Sequence, residues 1–165
     1  MLTVPTADDC EQVRVWRNRD RSFLRTPYFL TEEMQEGFYR DVICNRASPH
    51  RYYSFVVDNR LVAFGGLTNL QWENSIAEIS LIVSPQVRGK GIGQQAVGAL
   101  LDEGFGNLGL LTIYGEVYGC GHVGFWRKMC DRFDGQMVTL PWRTKLWQGR
   151  RYQSTLFAFE KSILI

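Results

Sequence analysis

The sequence predicts an α/β protein built on one mixed sheet. Hydrophobic residues recur at helical spacing near the N-terminus and alternate with a period of two from Tyr52 onward. A glycine-rich turn then joins an apolar strand to an amphipathic helix. In chain order we predict a strand, two helices, three strands, a helix, a strand, a helix and two strands. Helices interspersed among strands in this way are typical of an α/β architecture.

Two capping signals predict the N-terminal helices. Thr6 precedes a segment in which Val13 and Trp16 recur at helical spacing, after a short opening strand. Thr31 is the second cap, and it precedes a helix with Phe38 and Val42 on one face.

Three strands follow, because apolar residues alternate there with polar ones. Tyr52–Val57 and Leu61–Leu67 flank Asp58 and Asn59, a pair typical of a hairpin turn. The third strand, Ile76–Val83, is ended by Pro85.

Apolar spacing also predicts the C-terminal elements. The helices are Gln95–Phe105 and Val123–Cys130, and the strands are Leu110–Val117, Met137–Leu140 and Tyr152–Glu160. We expect the polar segment Trp142–Arg151 to connect the last two strands.

Length and composition fit one folded domain over residues 1–165. The chain is 45% apolar and 13% aromatic, which separates it from disordered sequences. Its formal net charge of +2 is too small to indicate nucleic-acid binding.

The sequence carries no targeting or metal-binding pattern. The N-terminus lacks the charge pattern and apolar core of a signal peptide, and no apolar run is long enough to span a bilayer. The four cysteines form no C-x-x-C pair. We therefore expect a cytoplasmic protein with reduced thiols, no bound metal, and no nucleic-acid or membrane partner.

The segment from Arg88 to Gly93, R-G-K-G-I-G, carries the most chemical information. It lies between the apolar run 79–83 and an amphipathic helix. Glycines allow backbone N–H groups to converge there, and a helix N-terminus adds partial positive charge. The spacing fits neither G-x-G-x-x-G nor G-x-x-x-x-G-K-[ST]. The segment therefore predicts a pyrophosphate cradle of another kind.

The spacing R-x-x-G-x-G resembles the acetyl-CoA loop of the GNAT family of N-acetyltransferases. The order of elements and the segment Ala77-Glu78-Ile79 resemble that family too. The resemblance implies a central, mostly antiparallel twisted sheet of six to seven strands with about four helices. Trp16-Arg17-Asn18 followed by Thr31-Glu32-Glu33 is similar to the branch of ribosomal-protein and sugar-nucleotide N-acetyltransferases.

The family resemblance implies acetyl-CoA as a cosubstrate. Backbone groups of Leu81, Ile82 and Val83 would meet its pantetheine arm. The pyrophosphate would meet the amides of Gly89, Lys90, Gly91, Ile92 and Gly93. Arg88 and Lys90 would add positive charge, unless both extend into solvent.

The implied reaction is direct attack of a primary amine on the thioester, in a ternary complex. A neutral amine is required, so the site needs a proton acceptor. Glu78 matches a carboxylate that serves as base in related enzymes; the alternative is a sheet-edge residue paired with an arginine.

The proton donor for the leaving thiolate departs from the family pattern. The segment 117–126 lacks the customary Asn, and Phe125 or Trp126 stands where a Tyr is expected. Tyr118, His122 and Cys120 are the nearby substitutes. The thiolate could also leave unaided, and His122 could simply cap the helix.

Aromatic residues suggest the acceptor site. We expect Trp16, Arg17, Tyr28 and Trp142 to bind the acceptor, with further aromatic candidates at Phe23, Phe29 and Trp147; Trp16 is also placed to be a core residue. The expected acceptor is a small amine such as an amino-sugar nucleotide. The alternatives are a protein N-terminus, or a non-catalytic acetyl-CoA sensor; a homodimer is also possible.

Overall fold

One seven-stranded sheet organises the chain. The computed structural model describes residues 1–24 and 27–162, without the side chain of Phe23. The strand order is β1-β2-β3-β4-β5-β7-β6, and every pairing is antiparallel except β4 with β5. The strands are β1 (Leu2–Thr3), β2 (Arg51–Val57), β3 (Arg60–Gln71), β4 (Ile76–Val83), β5 (Thr112–Tyr118), β6 (Gln136–Trp147) and β7 (Arg150–Glu160).

Four α-helices accompany this sheet in the described part of the chain. They are α1 (Ala7–Arg19), α2 (Glu32–Phe38), α3 (Ile92–Asp102) and α4 (Val123–Arg132). Short π-helical segments, Tyr39–Ile43 and Glu103–Asn107, continue α2 and α3. The number of strands and helices confirms the predicted fold class.

Local sequence signals explain where the N-terminal helices start. The Thr6 side chain accepts from the Asp9 N–H, and the Asp9 carboxylate accepts from the Thr6 N–H, so the first cap is reciprocal. Thr31 accepts from the N–H of Met34. Both predicted caps are confirmed.

The two faces of the sheet bury different clusters. One cluster contains Val97 and Leu100 of α3, Met129 of α4, and Ile113 and Phe157 of the sheet. The other packs Cys10, Val13 and Trp16 of α1 against Phe64, with Ile82 beside them. Residues of β4 therefore alternate between the two clusters, since Leu81 and Val83 pack against the first.

Several predicted boundaries were wrong. The helix α3 starts at Ile92 rather than Gln95, because Gly91 serves as its N-cap. β3 continues to Gln71 through an irregularity after Thr68. β6 continues to Trp147 across a second irregularity after Leu140, so most of the expected connection is strand. The described residues form no helix long and apolar enough to cross a membrane.

Candidate functional site

The strands β4 and β5 separate at their C-terminal ends. They pair only from Ile76 to Glu78, opposite Thr112 to Tyr114. β4 then continues to Val83 and β5 to Tyr118 without further pairing between them. The sheet therefore contains a gap with Glu78 at its closed end.

Strand alternation determines which backbone groups face this gap. The N–H of Ser84 donates to Val62 O on β3. Because backbone groups alternate in direction along a strand, Ile82 also points toward β3, whereas Leu81 and Val83 point toward the gap. Two of the three residues expected to meet pantetheine thus present their amides there. The amide of Ile82 instead points toward β3, where Phe64 is its register partner.

Backbone groups also alternate in direction along β5, which forms the opposite wall of the gap. The N–H of Gly119 donates to Gln153 O on β7 at 3.0 Å. The backbone groups of Glu116 and Tyr118 therefore point away from β7, toward β4. An extended chain between β4 and β5 would find backbone partners on both sides.

The glycine turn begins at the open end of this gap. Gly89 and Gly91 have φ of +78° and +80°, a left-handed conformation that favours glycine. Side chains there would meet no other atom within 4 Å. Gly91 caps α3 without a side-chain bond, so the first amides of α3 have no intrahelical partner. This open cradle of amides, which includes Ile92, fits a pyrophosphate.

At Gly93, glycine is needed for close packing between helices rather than for a left-handed backbone. A Cβ at Gly93 would lie 3.1 Å from a ring carbon of Phe125 and 3.5 Å from Val83 Cγ2. The glycine therefore allows α3 to approach α4 closely, which is a packing role.

Arg88 is bonded to the protein rather than extended toward the cradle. Its guanidinium pairs with the Asp20 carboxylate at the end of α1, and its Nε donates to Val83 O at 3.2 Å. Lys90 is exposed. The positive charge expected from Arg88 is thus already shared with Asp20.

Glu78 is buried on the side of the sheet that packs against α1. Its residue is 8% exposed, and its Oε2 accepts from Asn69 Nδ2 at 3.0 Å. Burial raises the pKa of the nearby Tyr52 hydroxyl, the Arg17 guanidinium lowers this pKa, and the Glu78 carboxylate raises it. The carboxylate is therefore held at the apex of the gap.

Tyr118 is the last residue of β5, and the other two candidate proton donors, Cys120 and His122, follow it. The Lys145 Nζ stands 5.9 Å from the centroid of the Tyr118 ring, and the Cys120 thiol donates to Ser22 O at 3.3 Å. Partial burial and the nearby Arg88 guanidinium lower the pKa of His122, against the effect of Asp20. The backbone carbonyl of His122 accepts from the first turn of α4.

A buried carboxylate that sequence reasoning missed lies on β5. The Glu116 side chain is 4% exposed and accepts from Arg143 at 2.5 and 2.9 Å. The hydroxyl of Ser154, fully buried on β7, also donates to it. Period-two alternation places Glu116 on the same face as Tyr118, and this signal was available in the sequence.

The predicted acceptor residues occupy different environments. Trp16 is 6% exposed within the α1 cluster, which favours the alternative that it is a core residue. Burial lowers the pKa of Arg17, which faces Tyr52 and Tyr28. Tyr28 is 58% and Trp142 77% exposed.

A cation–aromatic cluster stands between the end of α1 and β6. The Arg21 guanidinium lies 3.7 Å from the centroid of Phe29, and Lys145 Nζ lies 5.2 Å from that of Trp147. Lys145 is 9% exposed and donates to the carbonyls of Ser22 and Leu24. These bonds anchor the segment after α1 on the sheet.

The sequence of this chain matches a known protein family. The sequence pattern of the family described as "Acetyltransferase (GNAT) family" matches residues 11–130. Among curated protein sequences, none matches the chain.

Solved structures resemble the whole chain despite low identity. Spermidine N-acetyltransferase from Vibrio cholerae, in complex with CoA and spermine, has a TM-score of 0.80 and 18% identity over 97% of this chain and 94% of its own. A dodecameric form of that enzyme in an intermediate state gives 0.79 and 19%, over 97% and 92%. A putative phosphinothricin N-acetyltransferase gives 0.73 and 19%, over 99% of both chains.

Proposed function

We propose that this chain acts on a small primary amine that also carries an anionic group. The chain belongs to the acetyltransferase (GNAT) family and is therefore an acetyl-CoA-dependent N-acetyltransferase. The gap between β4 and β5, which leads from the glycine turn to Glu78, is the observation that carries the transfer from acetyl-CoA, and the charges beside the gap carry the choice of acceptor. Acetyl-CoA is the cosubstrate, and its acyl end belongs near the closed end of the gap.

The residues that would hold acetyl-CoA follow from the gap. The outward amides of Leu81 and Val83 suit the pantetheine arm, and the amides from Gly89 to Ile92 suit the pyrophosphate. Lys90 is an exposed residue of the glycine turn, and its side chain can approach the phosphates from solvent. Bound acetyl-CoA supplies a thioester whose carbonyl carbon is open to attack. One backbone N–H of β4 would polarise that carbonyl oxygen.

Glu78 is proposed as the base. The amine must lose a proton as its nitrogen bonds to the acyl carbon and the bond from carbon to sulfur breaks. The Glu78 carboxylate accepts that proton, directly or through one water. The proton for the departing thiolate comes from solvent or from Tyr118, with His122 as the next candidate. Cys120 is less suitable, because its thiol is committed to Ser22 O.

The charges on the α1 side of the gap favour an acceptor with an anionic group. The described residues there include five cations, Arg17, Arg21, Arg88, Arg143 and Lys145, of which Arg88 pairs with Asp20 and Arg143 with Glu116. Guanidinium groups bind phosphate with good geometry, and the exposed Trp142 offers a ring for stacking. An amino-sugar nucleotide has these features.

A polyamine is the competing acceptor. The solved relatives named for spermidine favour it, but the cations named above oppose it, because a polyamine would need carboxylates that are not already paired. Asp20 and Glu116 are bonded to arginines. The two acceptors therefore make opposite demands on the same surface.

Self-association is a further part of the proposal. β6 is an edge strand with exposed Val138 and Leu146 at 55% and 68%. One relative is dodecameric. Sedimentation velocity at two protein concentrations tests whether this chain is a monomer, a dimer or a larger assembly.

The experiment that tests the function combines binding and turnover. Calorimetric titration with acetyl-CoA is followed by thiol release with a UDP-linked amino sugar, spermidine, an aminoglycoside and a short peptide with a free N-terminus. Release with the amino sugar supports the proposal, and release with spermidine alone overturns its anionic acceptor. Binding without release from any amine favours a sensor.

A further inference from the structure

The strand β3 contains an irregularity directly beside Glu78. Two residues of β3, Asn69 and Leu70, stand opposite one residue of β4. The flanking register pairs are Thr68 with Glu78 and Gln71 with Ile76. Such a bulge re-aims side chains and leaves backbone groups outside the ladder. Asn69 has φ of +51°, a conformation that Asn tolerates better than most residues.

The segment before β2 binds the amides that the bulge leaves unpaired. Nδ1 of His50 accepts from the Asn69 N–H at 3.1 Å. The Pro49 carbonyl accepts from the Leu70 N–H at 2.9 Å. The Leu70 side chain is then buried in the core, 6% exposed. The bulge is thus held from outside the sheet by two consecutive residues.

The bulge directs polar groups at Glu78 from two positions. The Asn69 amide donates to Glu78 Oε2 at 3.0 Å, and the Thr68 hydroxyl donates to Glu78 O at 3.1 Å. A regular strand would turn the side chain at position 69 to the other face of the sheet relative to position 68. The left-handed conformation of Asn69 therefore brings an amide donor to a carboxylate that it would otherwise not meet.

We propose that Asn69 is a positioning residue for the base and that His50 acts behind it by fixing the Asn69 backbone. This inference rests on the proposed role of Glu78. Glu78 is buried, and an amide donor stabilises a buried carboxylate and restricts its rotamers, so that the carboxylate stays at the apex of the gap.

The role of His50 requires a particular protonation state. Only an unprotonated Nδ1 can accept the Asn69 N–H, so the ring is neutral and carries its proton on Nε2. Burial, helped by the neighbouring Arg51, lowers the pKa of His50 and favours this state. The chain of contacts runs from His50 to Asn69 to Glu78.

Asn69→Gly is the direct test. Glycine keeps the left-handed backbone and the amide bonded to His50 but removes the donor to Glu78. With the panel amine that releases thiol fastest, we expect kcat to fall about tenfold while the amine KM and the acetyl-CoA Kd stay unchanged. The matched control is Asn59→Gly, the same substitution at φ +57° in the β2–β3 turn, and it should leave kcat unaltered.

His50 is tested by a conservative pair. His50→Asn places an amide oxygen close to the position of Nδ1 and should retain most of kcat. His50→Leu removes the acceptor and should lower kcat as Asn69→Gly does, again without a change in KM. Equal kcat in both variants would overturn the role of His50. A thermal melt of each variant shows that the loss does not come from unfolding.

Two further measurements separate this inference from the proposed function. Wild-type kcat in Glu78→Gln would remove the base itself. A large loss in Glu78→Gln with wild-type kcat in Asn69→Gly would overturn only the positioning role. Nitrogen-15 NMR of the two histidines needs no acceptor: an Nε2-protonated His50, assigned with His122→Ala, supports the contact, and the opposite tautomer refutes it.

Discussion

The carboxylate of Asp20, at the end of α1, is bonded to the guanidinium of Arg88, at the start of the glycine turn. The Arg88 side chain is 33% exposed and that of Asp20 14%. One ion pair therefore joins the element expected to shape the acceptor site to the element expected to bind the cofactor. Substitutions at either residue should affect both stability and the loop.

The coupling between Asp20 and Arg88 is measurable by a double-mutant cycle. Asp20→Ala, Arg88→Ala and the double variant should give a coupling free energy of unfolding of about 1 kcal/mol, as expected for a partly exposed pair.

Because Arg88 is committed to Asp20, Arg88→Ala should weaken acetyl-CoA binding only about threefold, under 1 kcal/mol. A loss of hundredfold would show that the guanidinium leaves Asp20 for the pyrophosphate.

Gly91→Val should abolish acetyl-CoA binding. Valine is strained at φ +80°, and its side chain would enter the open space before α3. Calorimetry measures the loss. Gly149→Val is the matched control, because Gly149 has φ +74° in the turn between β6 and β7. Unchanged affinity in Gly91→Val would refute the loop assignment.

Glu78→Gln should lower kcat by about a hundredfold near neutral pH while the acetyl-CoA Kd is preserved. The deficit should shrink as pH rises, because more of the amine is then neutral without help from a base. The measurement is a pH profile of thiol release. Glu73→Gln, at an exposed position in the turn before β4, is the control. A constant ratio between variant and wild type at every pH would contradict the role.

Glu116→Ala should destabilise the fold by about 2 kcal/mol. The substitution leaves the buried Ser154 hydroxyl without its acceptor and Arg143 without its carboxylate. Urea unfolding measures the change, and Glu160→Ala, exposed at the end of β7, is the control. A change under about 0.5 kcal/mol would mean that water replaces the carboxylate without cost.

Stability should fall on acidification through the histidines. The pKa of His50 is lowered from the ordinary value of 6.5, chiefly by burial, and that of His122 is lowered as well. Below pH 6.5 the unfolded chain therefore binds more protons than the native chain, and protonation favours unfolding. Urea midpoints measured at falling pH should decrease, and less steeply in His50→Asn. A steeper decrease in His50→Asn would contradict the sign.

Patterns along the sequence were sufficient for the order of the elements and for the position of the glycine turn. The Thr6 cap and the strand Ile76–Val83 were predicted correctly because their signals are local. The strand β6 was predicted too short, because Pro141 and the polar residues after it are typical of a connection. An edge strand accommodates proline at a bulge, and only its pairing with β7 reveals this.

The sequence by itself determined the α/β order, the glycine cradle and the class of reaction. The order and the cradle depend on residues adjacent in the chain, so spacing expresses them, and the class of reaction followed from the resemblance of the R-x-x-G-x-G segment to the GNAT family. The tertiary structure decided which groups meet: Arg88 with Asp20, Glu116 with Arg143 and Ser154, and Asn69 with Glu78. Those partners come from separate elements of the fold. Their contacts depend on strand register and on the β3 bulge, which no local hydrophobic pattern encodes.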